Sequence, residues 1–219
     1  MNFVSRDRTS VAAGVALVAR DRTSLAAAAA LVVATALAWV GLAGYEPPMG
    51  LAGFLAGWTL MMTAMMLPSI APLALLYRGP RTPMAVGYLV VWGATGLIPY
   101  AAMEWGLDPA LPIVLVLAGV YELSPLKSAC LRRCRNGAAF LMEHYRSGPF
   151  RLGAEHGVWC IGCCVGLMAV LVLAASMGLV WAAAIAAAVF VQKVLPLGEV
   201  SARLMGVGLL VAAVAVAAA

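Results

Sequence analysis

The chain is dominated by apolar runs, each about long enough for a helix to cross a bilayer, separated by short polar connections. A hydrocarbon core about 30 Å thick takes about 20 residues of α-helix at 1.5 Å rise per residue. Runs of that kind are Leu25–Gly44, Gly50–Tyr77, Met84–Met103, Pro109–Leu126, Gly157–Ser176, Gly178–Leu195 and Ala202–Ala219. The fifth and sixth form one apolar stretch too long for a single crossing. A tight hairpin at Ser176-Met177-Gly178 divides it, with the glycine free to close the turn. Charged residues make up 11% of the chain and the mean hydropathy is +1.00. A soluble domain carries about a quarter charged residues, so a soluble enzyme, a disordered chain and a secreted disulfide scaffold are excluded. The expected fold is all-α: a polytopic integral membrane helical bundle of about seven transmembrane helices.

The net charge of +5 would suggest nucleic acid in a soluble protein. Here it orients the bundle, and no nucleic-acid partner is implied. Basic residues concentrate on the cytoplasmic side of membrane proteins. All 14 lie in four segments: Arg6, Arg8, Arg20 and Arg22; Arg78 and Arg81; Lys127, Arg132, Arg133, Arg135, Arg146 and Arg151; Lys193 and Arg203. With seven spans these segments share one side, and the opposite connections carry only Glu46, Glu104 and Asp108. The expectation is an N-terminus in the cytoplasm, a cytoplasmic tail over 1–24, and a single membrane domain over 25–219 with a cytoplasmic loop at about 127–156. The tail repeats Arg-Asp-Arg-Thr-Ser at 6–10 and 20–24. The repeat reads as a tandem duplication without function, although Asp21, Thr23 or Ser24 could cap the first helix.

Two sets of side chains could carry chemistry. In the second run, Met61, Met62, Met65, Met66 and Ser69 share one helical face about 140° wide. Pro68 and Pro72 each remove a backbone hydrogen bond beside it. Thioethers are soft ligands that favour Cu(I); methionine is also an adaptable packing residue that fills bundle cores. The second set is cysteine. Cys130 and Cys134 stand four apart, on one face if that stretch is helical. His156, Cys160, Cys163 and Cys164 fall within about 100° of arc on a continuous helix, with Met168 one turn above Cys164. All five thiols lie in the expected cytoplasmic half. Reducing conditions there disfavour disulfides and favour metal or redox chemistry. Thiolates with one imidazole suit Cu(I) or, as the alternative, Zn(II), while free cysteines also pack well as small apolar groups.

Arg132, Arg133 and Arg135 flank the first cysteine pair, where they could favour thiolates or fix topology and touch anionic membrane lipid. Glu122, Gln192 and Lys193 are polar groups inside apolar runs. Such groups pair with one another or line a pathway, and Glu122 with Lys193 is one pairing within reach.

The blocks Trp58–Tyr77, Tyr121–Asn136 and His156–Pro196 resemble a bacterial family of integral membrane proteins described as metal-binding and otherwise of unassigned function. They follow the family's order and cover about a third of the chain, and the Ala-Met-Met-Leu-Pro-Ser and Gly-Cys-Cys elements are its most specific part. The resemblance implies roles for Met61, Met62, Met65, Met66, Pro68, Ser69, Lys127, Cys130, Cys134, His156, Cys160, Cys163, Cys164, Met168, Met177 and Lys193. The chain departs from the family pattern at Gln192, where an acid is common, at Val165, where an aromatic is common, and at Gly137, where a proline is usual. The missing acid weakens any ion-coupling role for the 192–193 pair.

These observations lead to a multi-pass protein of the bacterial inner membrane that binds a soft metal, copper above all, for transport, delivery or storage. Its candidate ligands are Met61, Met62, Met65, Met66, Cys130, Cys134, His156, Cys160, Cys163, Cys164 and Met168. Two other readings fit the same residues: a membrane thiol oxidoreductase cycling Cys160, Cys163 and Cys164 through disulfides, and a non-catalytic accessory subunit. For the last, the Ala- and Gly-rich helices suit tight contact with partner membrane subunits or a second copy. No nucleotide-binding loop, Ser/His/Asp set or paired catalytic carboxylates stands out.

Overall fold

The computed structural model describes residues 22–46, 48, 50–107, 109–173 and 178–218, and within them every regular element is a helix. The duplicated tail, Asp21, Asp108 and the Ser176-Met177 half of the expected hairpin lie outside the described residues. Eleven α-helices follow in order: α1 (Arg22–Ala43), α2 (Leu51–Met66), α3 (Ala71–Leu76), α4 (Arg81–Ala94), α5 (Leu97–Glu104), α6 (Leu111–Leu123), α7 (Pro125–Arg135), α8 (Gly137–His144), α9 (Pro149–Leu173), α10 (Leu179–Val194) and α11 (Gly198–Ala217). Thr23 and Ser24 lie inside α1 rather than ahead of it.

Among the described residues, five spans are long and apolar enough to cross a membrane: Arg22–Ala43, Leu51–Leu76, Arg81–Glu104, Pro149–Val172 and Gly198–Ala217. The other two expected crossings are modified. The fourth breaks at Ser124, where α6 and α7 meet at a bend of 61°. Ser124 accepts the Lys127 backbone N–H at 3.1 Å and Pro125 follows it, a pairing of N-cap and N1 residues that starts a new helix. The sixth, α10, is a 16-residue apolar helix, about 24 Å long at 1.5 Å per residue. The expected loop at 127–156 is helical too. It consists of most of α7, then α8 capped by Asn136 Oδ1 on Ala139 N–H, then the first turns of α9. Gly148, at φ +81°, makes the left-handed turn into α9 that a side chain would resist.

Burial separates the helices by role. Only 6% of the α1 span is buried, against 56% of Leu51–Leu76 and 50% of the α9 span. The helices α2 and α9, which carry the methionines and four of the candidate site residues, therefore form the interior, and α1 presents its apolar side chains outward. Glycines let the backbones close up. A Cβ on Gly153 would overlap the Met84 carbonyl, and one on Gly87 would overlap the Phe150 carbonyl, so α4 and α9 touch backbone to backbone at both. Gly119 of α6 and Gly206 of α11 repeat this, each lying 3.0 Å, at its would-be Cβ, from the other's carbonyl oxygen. Small residues at crossings are how helices pack where lipid removes the hydrophobic drive.

Polar and aromatic contacts tie the ends of neighbouring helices together. Arg81 reaches the Ala74 carbonyl at 2.7 Å and the Ser24 hydroxyl at 3.5 Å. Tyr77 packs against Tyr145 with ring centroids 6.2 Å apart, and Arg132 lies 3.5 Å from Glu199. Phe54 packs on Tyr100.

Candidate metal centre

The second span does not run straight. Pro68 forces a 3-10 turn over Leu67–Ile70 between α2 and α3, because its nitrogen cannot donate to the preceding turn. The turn brings Ser69 inward, where its hydroxyl donates to the Met66 carbonyl at 2.7 Å and lies 2.9 Å from Tyr88 Oη. Tyr88 Oη lies in turn 2.8 Å from Cys160 Sγ and donates to the Met66 carbonyl at 3.1 Å. The break after the methionine face therefore ends on a cysteine of α9.

Three sulfurs converge there. Those of Cys134, on α7, and Cys160 and Cys163, on α9, lie within 4.8 Å of one another, and all three residues are buried. The 61° bend turns α7 against α9, and the i, i+3 spacing of the α9 pair puts both thiols on that face. Three sulfurs bound to one metal at about 2.3 Å would stand about 4.0 Å apart, so the trio fits a single ion without backbone movement. Cys164 Sγ lies 3.6 Å from Cys163 Sγ, and His156 Nε2 lies 3.8 Å from Cys134 Sγ. His156 is buried and its Nδ1 has no hydrogen-bond partner, a buried polar atom left unsatisfied beside soft donors. Cys130 is buried one turn before Cys134, but its thiol packs against Gly162 and stands outside the trio. Met61, Met62, Met65, Met66 and Met168 are buried in the same core. Met177 lies outside the described residues.

The polar residues inside the apolar runs sort differently from expectation. Glu122 does not meet Lys193. It pairs with Lys127 at 2.6 Å, and Gln192 joins both, accepting from Lys127 Nζ at 2.9 Å and donating to Glu122 at 3.2 Å. The bend after Leu123 is the cause, since it folds Lys127 back over the end of α6. Lys193, next along α10, instead points into the thiols: Nζ lies 2.7 Å from Cys160 Sγ and 3.2 Å from Ser69 Oγ. It supplies the positive charge that a buried set of thiolates requires. The arginines beside the first cysteine pair go elsewhere. Arg132 faces Glu199, Arg133 pairs with Glu143 and lies over the Trp159 ring, and Arg135 donates to the Gln192 carbonyl. Tyr88 is the neighbour of the site that the sequence did not reveal, because it looks like an ordinary aromatic of an apolar run.

A helical bundle with long apolar spans and a buried cluster of three cysteines defines a class, soft-metal binding inside a membrane-type fold. Residues 55–216 match the family PpoB2, described as a copper chaperone, and the chain belongs to that family. No curated protein and no solved structure matches the chain.

Proposed function

We propose that the protein is a multi-pass bacterial inner-membrane protein that binds Cu(I) on Cys134, Cys160 and Cys163 and delivers it. The observation that carries this is the convergence of three buried sulfurs from two helices within 4.8 Å. The copper chaperone family supports the choice of metal. Cys164 and His156 are flanking ligands that let the ion shift without leaving its donors. Met61, Met62, Met65 and Met66, buried in the same core as the thiols, form the thioether side of the path; the Met66 backbone carbonyl, Ser69 and Tyr88 link the end of α2 to Cys160. Weak thioethers suit passage and tighter thiolates suit capture. Three thiolates and one Cu(I) carry a net charge of −2, of which the Lys193 ammonium beside Cys160 offsets one. Copper is preferred over zinc because the family is described as a copper chaperone and buried methionines stand in the same core as soft donors; with His156 or Cys164 as a fourth ligand the same set would suit tetrahedral Zn(II). The charged end of the bundle is the cytoplasmic one, which keeps the thiols on the reducing side and leaves α1 in lipid.

Protein purified without oxygen from copper-fed cells is expected to carry about one copper per chain, measured by elemental analysis. The Cys134→Ser/Cys160→Ser/Cys163→Ser variant is expected to carry none. Copper-free wild-type protein would contradict the proposal. A thiol oxidoreductase is the weaker reading, because Cys134, Cys160, Cys163 and Cys164 are all buried and disulfide exchange needs access to sulfur.

A further inference from the structure

Tyr88, on α4, is wholly buried and touches two donors of the metal centre at once. Its hydroxyl oxygen lies 2.8 Å from Cys160 Sγ, and its ring lies against His156, with centroids 6.0 Å apart. Close backbones make that reach possible. Gly87 and Gly153 bring α4 and α9 into carbonyl contact, and a Cβ on Gly157 would stand 3.4 Å from the Tyr88 carbonyl oxygen. The phenol has one proton and three acceptors around it: Cys160 Sγ, the Met66 carbonyl at 3.1 Å and Ser69 Oγ at 2.9 Å. Ser69 donates its own proton to the Met66 carbonyl at 2.7 Å. A metal-bound thiolate carries charge that neither oxygen carries, so it is the strongest acceptor of the three. The other two sulfurs of the trio are held differently: Cys163 donates to the Cys160 carbonyl at 3.2 Å, and Cys134 has His156 Nε2 at 3.8 Å.

We propose that Tyr88 is a positioning residue of the metal centre. Its hydroxyl donates to the Cys160 sulfur, keeps that sulfur turned toward Cys134 and Cys163, and sets how strongly it gives electrons to copper. Partners of this kind fix the orientation of metal ligands, and hydrogen bonding at a cysteine sulfur tunes copper sites. Lys193 Nζ lies 2.7 Å from the same sulfur, so Cys160 is held from two sides. The two donors divide the work. The ammonium supplies charge from the end of a flexible four-carbon stem, whereas the phenol supplies direction, carried on a rigid ring between two closely packed helices. Tyr88 does not itself ligate the ion, because a phenol offers a hard oxygen that Cu(I) does not favour. The inference rests on the Cu(I) reading above and adds the residue that orients one of its ligands.

Tyr88→Phe keeps the ring and its packing and removes only the hydroxyl. The test uses the full-length protein in detergent, loaded with Cu(I) under argon and titrated against bathocuproine disulfonate, a coloured Cu(I) chelator. Tyr88→Phe is expected to bind Cu(I) about 10–100-fold more weakly than wild type, the usual cost of losing a group that supports a metal ligand. Its ultraviolet sulfur-to-copper charge-transfer band is expected at longer wavelength, because the phenol no longer lowers the energy of the sulfur lone pair. A tyrosine that only packs would not move that band. Ser69→Ala leaves the phenol in place and frees the Met66 carbonyl to compete for its proton, so both readouts should shift the same way by less. Should Tyr88→Phe fail to fold, Ser69→Ala carries the test. A charge-transfer band unmoved in the loaded variants overturns the role of Tyr88, whatever their affinity, and leaves the metal centre standing. A wild-type protein that takes up no Cu(I) overturns the metal centre, and the role of Tyr88 with it.

Discussion

Cys160→Ser is expected to lower Cu(I) affinity by at least about 100-fold, because changes to groups that only support a metal ligand already cost 10–100-fold. Cys160 is the pivot of the site. Its sulfur belongs to the trio, accepts from Lys193 Nζ at 2.7 Å and lies 2.8 Å from Tyr88 Oη. A serine keeps the shape and the hydrogen bonds but replaces a soft donor with a hard oxygen that Cu(I) does not favour. Competition against a chelator of known affinity gives the change directly. Cys130→Ser is the matched control. Cys130 is buried and one helical turn from Cys134, yet its thiol lies outside the trio, so its loss should shift affinity by no more than a few-fold. Equal effects at 130 and 160 would mean that the site is not the one described.

The second large effect concerns stability. Lys127→Met leaves the Glu122 carboxylate buried with Gln192 as its remaining partner, and removing one member of a buried ion pair costs about 3–5 kcal/mol. Both side chains are almost wholly excluded from solvent, at 1% and 0% exposure. At roughly 2–4 °C per kcal/mol for a chain of this size, the unfolding midpoint in detergent should fall by about 6–20 °C. The double variant Glu122→Leu/Lys127→Met should recover most of that loss, since replacing both partners with apolar groups removes the uncompensated charge. A single variant as stable as wild type would show that the triad does not lock α7 against α6 and α10. The triad also bears on the metal centre. Gln192 belongs to it and Lys193, the next residue, reaches Cys160, so one turn of α10 ties the ion pair to the thiols.

The sequence made some of this legible and hid the rest for physical reasons. Lipid-length apolar runs have one structural solution, because backbone groups in hydrocarbon must bond within their own helix, so the all-helical bundle could be read directly. Helical periodicity likewise placed Cys160, Cys163 and Cys164 on one side of α9. The meeting of Cys134 with that face depends on a 61° bend. Ser124-Pro125 marks the bend in sequence, but nothing there gives its direction. The same bend explains why Lys127, rather than Lys193, finds Glu122. The composition of 127–156, polar and basic, reads as a loop; its helices are set by Ser124 and Asn136 caps and by side chains that bury one face only.

Whether Cys134, Cys160 and Cys163 hold one Cu(I) can be read from X-ray absorption at the copper edge of the anaerobically loaded protein. The expected spectrum is a Cu(I) edge with a first shell of three sulfurs at about 2.3 Å, the usual metal–thiolate length, replaced by a different shell in Cys160→Ser. A first shell of nitrogen and oxygen alone, or a shell of sulfurs unchanged in Cys160→Ser, would contradict it.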